Sequence, residues 1–171
     1  HGFVHMKAFC SKDECLRMIS TMRKRVEDDW HPGTSEKMIV FKTDRETQEK
    51  NQGSSDYFLD SANRIHFFAE AGAVKEDGTL LEEYQKSKME ALNKICHGLH
   101  VIEPIFQEYC FSQKIGGLVR SLGWENPVVP QSMYILKNGK NLRELKEFWI
   151  SRSFLTLGLD LVSVHRIIFN F

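Results

Sequence analysis

The sequence lacks several features by which a function is usually recognised. Its 171 residues carry 23 Lys and Arg against 23 Asp and Glu, so the charge balance does not favour nucleic acid or an anionic membrane as a partner. The chain has no CxxC pair, which argues against the common zinc and redox motifs. It also contains no HExxH, GxSxG, Walker A or GxGxxG motif. No catalytic class therefore follows from a short motif.

The cysteines are few and irregularly spaced. A chain of this length can bury a core without disulfide bonds. We therefore expect reduced, mostly buried thiols, which favours an intracellular and most simply a cytoplasmic protein. The four residues concerned are Cys10, Cys15, Cys96 and Cys110.

A long hydrophobic run is missing as well. The most apolar stretch, residues 154–171, contains Asp160 and Arg166, whereas a membrane-spanning helix needs about 20 predominantly apolar residues. We interpret this stretch as strand-like. Hydrophobic residues cluster more strongly after Lys137 than before it, so the tail is predicted to be a different kind of sequence from the rest.

Local signals predict both helices and strands. Ser11 with Glu14 three residues later forms a capping-box pattern that predicts the start of a helix. Asp77 and Gly78 predict a turn. Helical spacing predicts further helices over residues 81–99, after Pro104 and over 115–122; strands are predicted at 57–59, 65–68 and 127–137. Because the best strand follows the helices without βαβ alternation, the predicted class is α+β.

Two possible sites lie on or directly after the helix predicted over residues 81–99. His97 and His100, three residues apart, could hold two corners of a metal site, although a structural or solvated pair is the simpler alternative. Lys94 lies among the apolar positions of the same stretch. Its ammonium could bind an anionic substrate or lie in solvent, and residue chemistry alone does not decide between these.

Four segments of the chain are distinctive: GSSDYFL at 53–59, IHFF at 65–68, LNKICHGLH at 92–100 and PVVPQSMYILK at 127–137. Together they resemble the phytanoyl-CoA dioxygenase (PhyH) family. The resemblance implies a double-stranded β-helix (jelly-roll) enzyme with N-terminal helices that uses Fe(II) and 2-oxoglutarate. It also implies that Lys94 and Met133 contact 2-oxoglutarate, which is then the expected small-molecule partner.

The chain departs from the family pattern after residue 137. The family holds iron through His-x-Asp and a distal His, but no His in this sequence is followed two residues later by Asp or Glu. We therefore expect residues 1–137 to be the N-terminal helices and first strands of an incomplete jelly roll. Residues 138–171 would be a divergent tail, which an altered transcript or gene structure would explain.

These expectations lead to three alternative functions. The first is a dioxygenase fragment, cut short of the iron-binding motif, that binds no iron and turns over no substrate. The second is a non-enzymatic interaction or regulatory module derived from the same family. The third is a chain that does not fold stably, because a half-built jelly roll exposes strand edges. The sequence does not predict the primary substrate or the oligomeric state.

Overall fold

The structure is a computed structural model. It describes residues 6, 8–34, 39–40, 55–136, 153–159 and 165–170, with the backbone alone for Ile39 and for the last two segments. The predicted boundary at Lys137 lies outside the described residues.

Five α-helices occur in the described part of the chain. In addition, 3₁₀ helices span Glu82–Tyr84 and Lys88–Ala91. None of the described helices is both long and apolar enough to cross a membrane. The α-helices are α1 (Lys12–Asp29), α2 (Asp56–Asp60), α3 (Leu99–Ile102), α4 (Pro104–Cys110) and α5 (Gln113–Ser121).

The first helix begins where the capping pattern predicts. The Ser11 hydroxyl accepts a hydrogen bond from the Glu14 amide at 3.2 Å, and the Glu14 carboxylate accepts one from the Ser11 amide at 2.8 Å. Two of the donors that a helix start leaves without partners are thus satisfied. α1 then buries Met18, Met22 and Val26 at helical spacing, which fixes it on the core.

In the part of the chain that the structure describes, six strands form one sheet in chain order. β1 pairs parallel to β2, and all other neighbouring pairs are antiparallel. One mixed sheet with packed helices agrees with the predicted α+β class, while the jelly roll stays a prediction. The strands are β1 (Ile39–Val40), β2 (His66–Ala69), β3 (Leu92–His97), β4 (Gln131–Leu136), β5 (Ser153–Leu159) and β6 (His165–Asn170).

One face of the sheet packs against the helices. The register places Phe67 opposite Ile95, and Ile95 opposite Tyr134. These three belong to the same buried cluster as Met22 of α1 and Phe106 of α4. We call this side of β2, β3 and β4 the helix face.

Two predicted elements are wrong. Residues 57–59 lie in helix α2, because the Ser55 hydroxyl accepts from the Phe58 amide at 3.2 Å and caps that helix. The helix predicted over 81–99 is replaced by the two 3₁₀ helices and β3. β3 lies between β2 and β4, and pairing on both sides overrides the helical spacing of its side chains.

Candidate functional site

The opposite face of the sheet carries the residues that the resemblance implicates. Phe68 is paired with Lys94, and Cys96 with Met133. Because side chains alternate along a strand, Lys94 and Met133 lie on the same face. Met133 is half-buried. We call this side the Lys94 face.

Lys94 is almost completely buried there, with 7% of its surface exposed. Its Nζ lies 3.3 Å from His97 Nε2, and 5.7 and 5.1 Å from the ring centres of Phe58 and Phe68. Burial lowers the pKa of Lys94 below its usual range, and the Cys96 thiol opposes this shift. The aromatic rings offset part of the cost of burying the ammonium.

His97 connects Lys94 to the segment that follows α2. Its Nδ1 lies 2.6 Å from Ser61 Oγ, and the Ser61 hydroxyl donates to the Phe58 carbonyl. The backbone amide of His97 donates to the Ser61 carbonyl at 2.7 Å. Burial, with added effects of Lys94 and His66, lowers the pKa of His97 to about 4, so this ring is neutral at pH 7.

His100 forms a second buried pair with a serine. Its Nδ1 and its backbone amide each lie 2.8 Å from Ser132 Oγ. The pKa of His100 is lowered by burial, against an opposing hydrogen bond with the Val129 backbone. His97 and His100 therefore each bond to a separate serine.

His66 occupies the edge of the Lys94 face. It pairs with Cys96 across the strands, and its Nε2 lies 3.1 Å from Asp60 Oδ2. The ring of Tyr57 stands edge-on at 4.0 Å. This contact links α2 to β2 and helps to hold α2 over the face.

Iron does not fit the described part of the chain. No three His, Cys, Asp or Glu side chains converge there in a way that could hold a metal ion. The alternative that His97 and His100 contribute to a metal centre therefore receives no third ligand from the described residues. The Lys94 ammonium can donate a charge-assisted hydrogen bond to a carboxylate.

Sequence reasoning singled out Lys94 but missed two of its neighbours. Ser61 lies 36 positions before His97, and Phe58 belongs to a segment predicted as a strand. No local pattern marks either residue as part of a site. Only the packing of α2 against β3 brings them to Lys94.

Comparison with known proteins gives the family. No family model matches the chain, but it is 41% identical over 139 residues to phytanoyl-CoA dioxygenase domain-containing protein 1 of Bos taurus and 40% identical to that of Mus musculus. It is 34% identical over 136 residues to a phytanoyl-CoA dioxygenase of Arabidopsis thaliana. Each alignment covers 80% of this chain and 44% or 45% of the relative.

These similarities show that the chain belongs to the phytanoyl-CoA dioxygenase family, which confirms the resemblance noted in the sequence. The chain spans about half the length of the curated relatives it matches.

Proposed function

We propose that this chain is a fragment of an Fe(II)- and 2-oxoglutarate-dependent dioxygenase and carries part of its 2-oxoglutarate site. The observation that supports this is the buried Lys94 ammonium on the same sheet face as Met133. A carboxylate of 2-oxoglutarate would accept a charge-assisted hydrogen bond from this ammonium, which is 7% exposed.

The two residues would take different parts of the ligand. Lys94 would bind a carboxylate as a point charge, and the half-buried Met133 would line the carbon chain with a flexible apolar side chain. In a complete family enzyme, bound iron would supply the chemistry by which O₂ oxidises 2-oxoglutarate to succinate and CO₂, with the second oxygen atom available for hydroxylation of a substrate. We propose no turnover by this chain alone, because no His in its sequence is followed two residues later by the Asp or Glu of the family's iron-binding motif.

Calorimetric titration of the purified chain with 2-oxoglutarate tests whether the chain binds this ligand. We expect saturable binding by the wild type, and binding at least about tenfold weaker in Lys94→Met, since a hydrogen bond to a charged group is lost. Lys114→Met is the matched control. The Lys114 ammonium also lies over two aromatic rings, at 5.3 and 5.0 Å, but it bonds to Glu14.

Two results would contradict the binding proposal. One is a wild type that does not bind 2-oxoglutarate, and the other is a Lys94→Met variant that binds as tightly as the wild type. Circular dichroism of each variant checks that it is folded. A separate assay of succinate formation with added Fe(II) tests whether the chain lacks turnover, since iron-dependent succinate formation would show that it is an active enzyme.

A second candidate is a non-enzymatic interaction module. Several large apolar side chains favour it because they are exposed: Val101 by 62%, Phe111 by 61% and Val128 by 58%. Apolar side chains at a surface are typical of contact regions when they form one patch. Size-exclusion chromatography with light scattering tests this candidate: a discrete dimer that Phe111→Ser disrupts supports it, and a monomer at all concentrations contradicts self-association.

A further inference from the structure

The hydrogen bonds that connect Lys94 through His97 and Ser61 to the Phe58 carbonyl have a fixed donor-to-acceptor direction. The Ser61 hydroxyl has one hydrogen, which it donates to the Phe58 carbonyl, and a carbonyl can only accept. At 2.6 Å from His97 Nδ1, the Ser61 oxygen must then act as the acceptor. The proton of the His97 ring is therefore on Nδ1.

This placement determines what His97 presents to Lys94. A neutral imidazole with a proton on Nδ1 has a bare lone pair on Nε2. Lys94 Nζ lies 3.3 Å from that atom, and an ammonium can only donate. The donors and acceptors agree along the whole chain from Lys94 through His97 and Ser61 to the Phe58 carbonyl.

The surroundings keep the His97 ring in this orientation. The rings of Phe58 and Phe68 lie 4.6 and 5.5 Å from it, and the same two rings flank the Lys94 ammonium. His97 is 8% exposed, so rotation of the ring would require these neighbours to move.

We propose that Ser61 and His97 are positioning residues that hold the Lys94 ammonium in one direction through a neutral, Nδ1-protonated imidazole. The inference rests on the proposed role of Lys94 in binding 2-oxoglutarate. A lysine side chain has many rotamers, and fixing it before the ligand arrives removes an entropic cost from binding. Neutrality matters as well, because an imidazolium at this distance would repel the ammonium.

The second histidine–serine pair is an internal control. Ser132 Oγ accepts from the His100 amide, which leaves its hydrogen for His100 Nδ1 at 2.8 Å. The His100 ring also bonds to the Val129 backbone, and a ring N–H is needed to donate to that carbonyl. We therefore expect His100 to carry its proton on Nε2, opposite to His97.

The first experiment is long-range ¹H–¹⁵N NMR of the full chain with ¹⁵N-labelled histidine, at pH 7 and without ligand. We expect the Nδ1–H tautomer for His97 and the Nε2–H tautomer for His100, with each signal assigned by its loss in His97→Gln or His100→Gln. Ser61→Ala should remove the Nδ1–H preference of His97. An Nε2–H tautomer for His97 in the wild type would overturn the inference.

The second experiment is titration with 2-oxoglutarate. His97→Phe removes the acceptor and should weaken binding about tenfold, whereas His97→Gln places an amide oxygen near the Nε2 position and should stay within about threefold of the wild type. His100→Phe should leave the affinity unchanged. If folded His97→Phe binds as tightly as the wild type, the positioning role is wrong although the proposed function stands.

Failure of the proposed function gives a different result. A wild type that binds no 2-oxoglutarate overturns that function and the positioning role with it, whatever the tautomer. The NMR measurement reads the tautomer in the wild type and uses the variants only to assign the signals, so it can overturn the hydrogen-bond chain independently of ligand binding.

Discussion

The two faces of β2, β3 and β4 both contain buried residues, but the chemistry of those residues differs. On the helix face, Ile95 is fully buried and lies between Phe67 and Tyr134. On the Lys94 face, one residue earlier in the same strand, Lys94 is 7% exposed and bonds to His97. On the helix face, removal of apolar surface from water stabilises the fold. On the Lys94 face, the desolvation of buried polar groups has to be offset by other interactions.

Hydrogen bonds offset that desolvation on the Lys94 face. Among the residues that the structure describes, every buried side-chain nitrogen and oxygen has a partner. Replacing such a network by apolar residues is often neutral or stabilising, so stability alone gives little reason to keep it. Burial alone therefore does not distinguish a hydrophobic core from a candidate site, whereas the chemistry of the buried groups does.

The largest expected effect is on the helix face. Phe106 is fully buried and contacts the Tyr134 ring at a centroid distance of 6.4 Å. Phe106→Ala should lower the free energy of unfolding by about 3–5 kcal/mol, because it removes apolar contacts and leaves a cavity. Urea denaturation measures this change.

Phe111→Ala is the matched control for that substitution, since Phe111 is 61% exposed. It should change the free energy of unfolding by less than about 1 kcal/mol. A loss below about 1 kcal/mol in Phe106→Ala would mean that the helix face is not the main source of stability.

The sequence predicts the helix face better than the Lys94 face, for a physical reason. Helix α1 can be predicted because Ser11, Glu14 and the helical spacing of apolar residues are local signals. Strand β4 can be predicted from its run of strand-forming residues. Both elements contribute to the core with the side chains that define their pattern.

The Lys94 face depends on contacts that no local pattern encodes. Residues 92–97 have a helical spacing, yet they form β3 because β2 and β4 pair with them on both sides. Ser61 reaches His97 only through the fold. The sequence shows Lys94 as a lysine among apolar residues. The residues that surround its ammonium could not be predicted without knowing the strand pairing.

The second prediction concerns pH and the Lys94 face. The unfolded chain protonates His97 near its usual pKa of about 6.5, whereas burial, Lys94 and His66 lower the folded pKa to about 4. Between these values the unfolded state binds more protons. The free energy of unfolding should therefore fall as pH decreases from about 6.5 to about 4, by on the order of 3 kcal/mol at most.

Urea denaturation at pH 7, 6, 5 and 4.5 measures this dependence. The slope in His97→Gln should be smaller than in the wild type. Comparing variants removes the contribution of other groups, including His100, whose pKa is also lowered. Equal slopes in His97→Gln and the wild type would contradict the assignment.

The third prediction tests how closely the segment after α2 must approach β3. A Cβ on Gly98 would lie 2.3 Å from the Ala62 carbonyl oxygen and 3.1 Å from the Ile102 Cδ1 atom. Because the first contact is with backbone, Gly98→Ala should lower the free energy of unfolding by about 1–3 kcal/mol. It should also disturb the neighbouring Ser61–His97 contact, which the His97 tautomer signal reports.

Gly117→Ala is the control for this substitution. Gly117 lies in α5, where a Cβ would meet no neighbouring atom within 4 Å outside its own helix backbone. Alanine should therefore raise the free energy of unfolding by about 0.5–1 kcal/mol. If Gly98→Ala also stabilises the protein, the close approach of the segment to β3 is not required.

The smallest expected effect lies at the start of α1, away from the sheet. Ser11→Ala removes the hydroxyl that accepts from the Glu14 amide at 3.2 Å and should lower the free energy of unfolding by about 1 kcal/mol. Ser20→Ala, in the middle of the same helix, should change it by less than about 0.5 kcal/mol. Neither variant should alter the His97 tautomer or the affinity for 2-oxoglutarate, because the cap stabilises α1, which packs on the helix face. A Ser11→Ala variant that stays folded yet binds 2-oxoglutarate more weakly would show that the two faces are coupled.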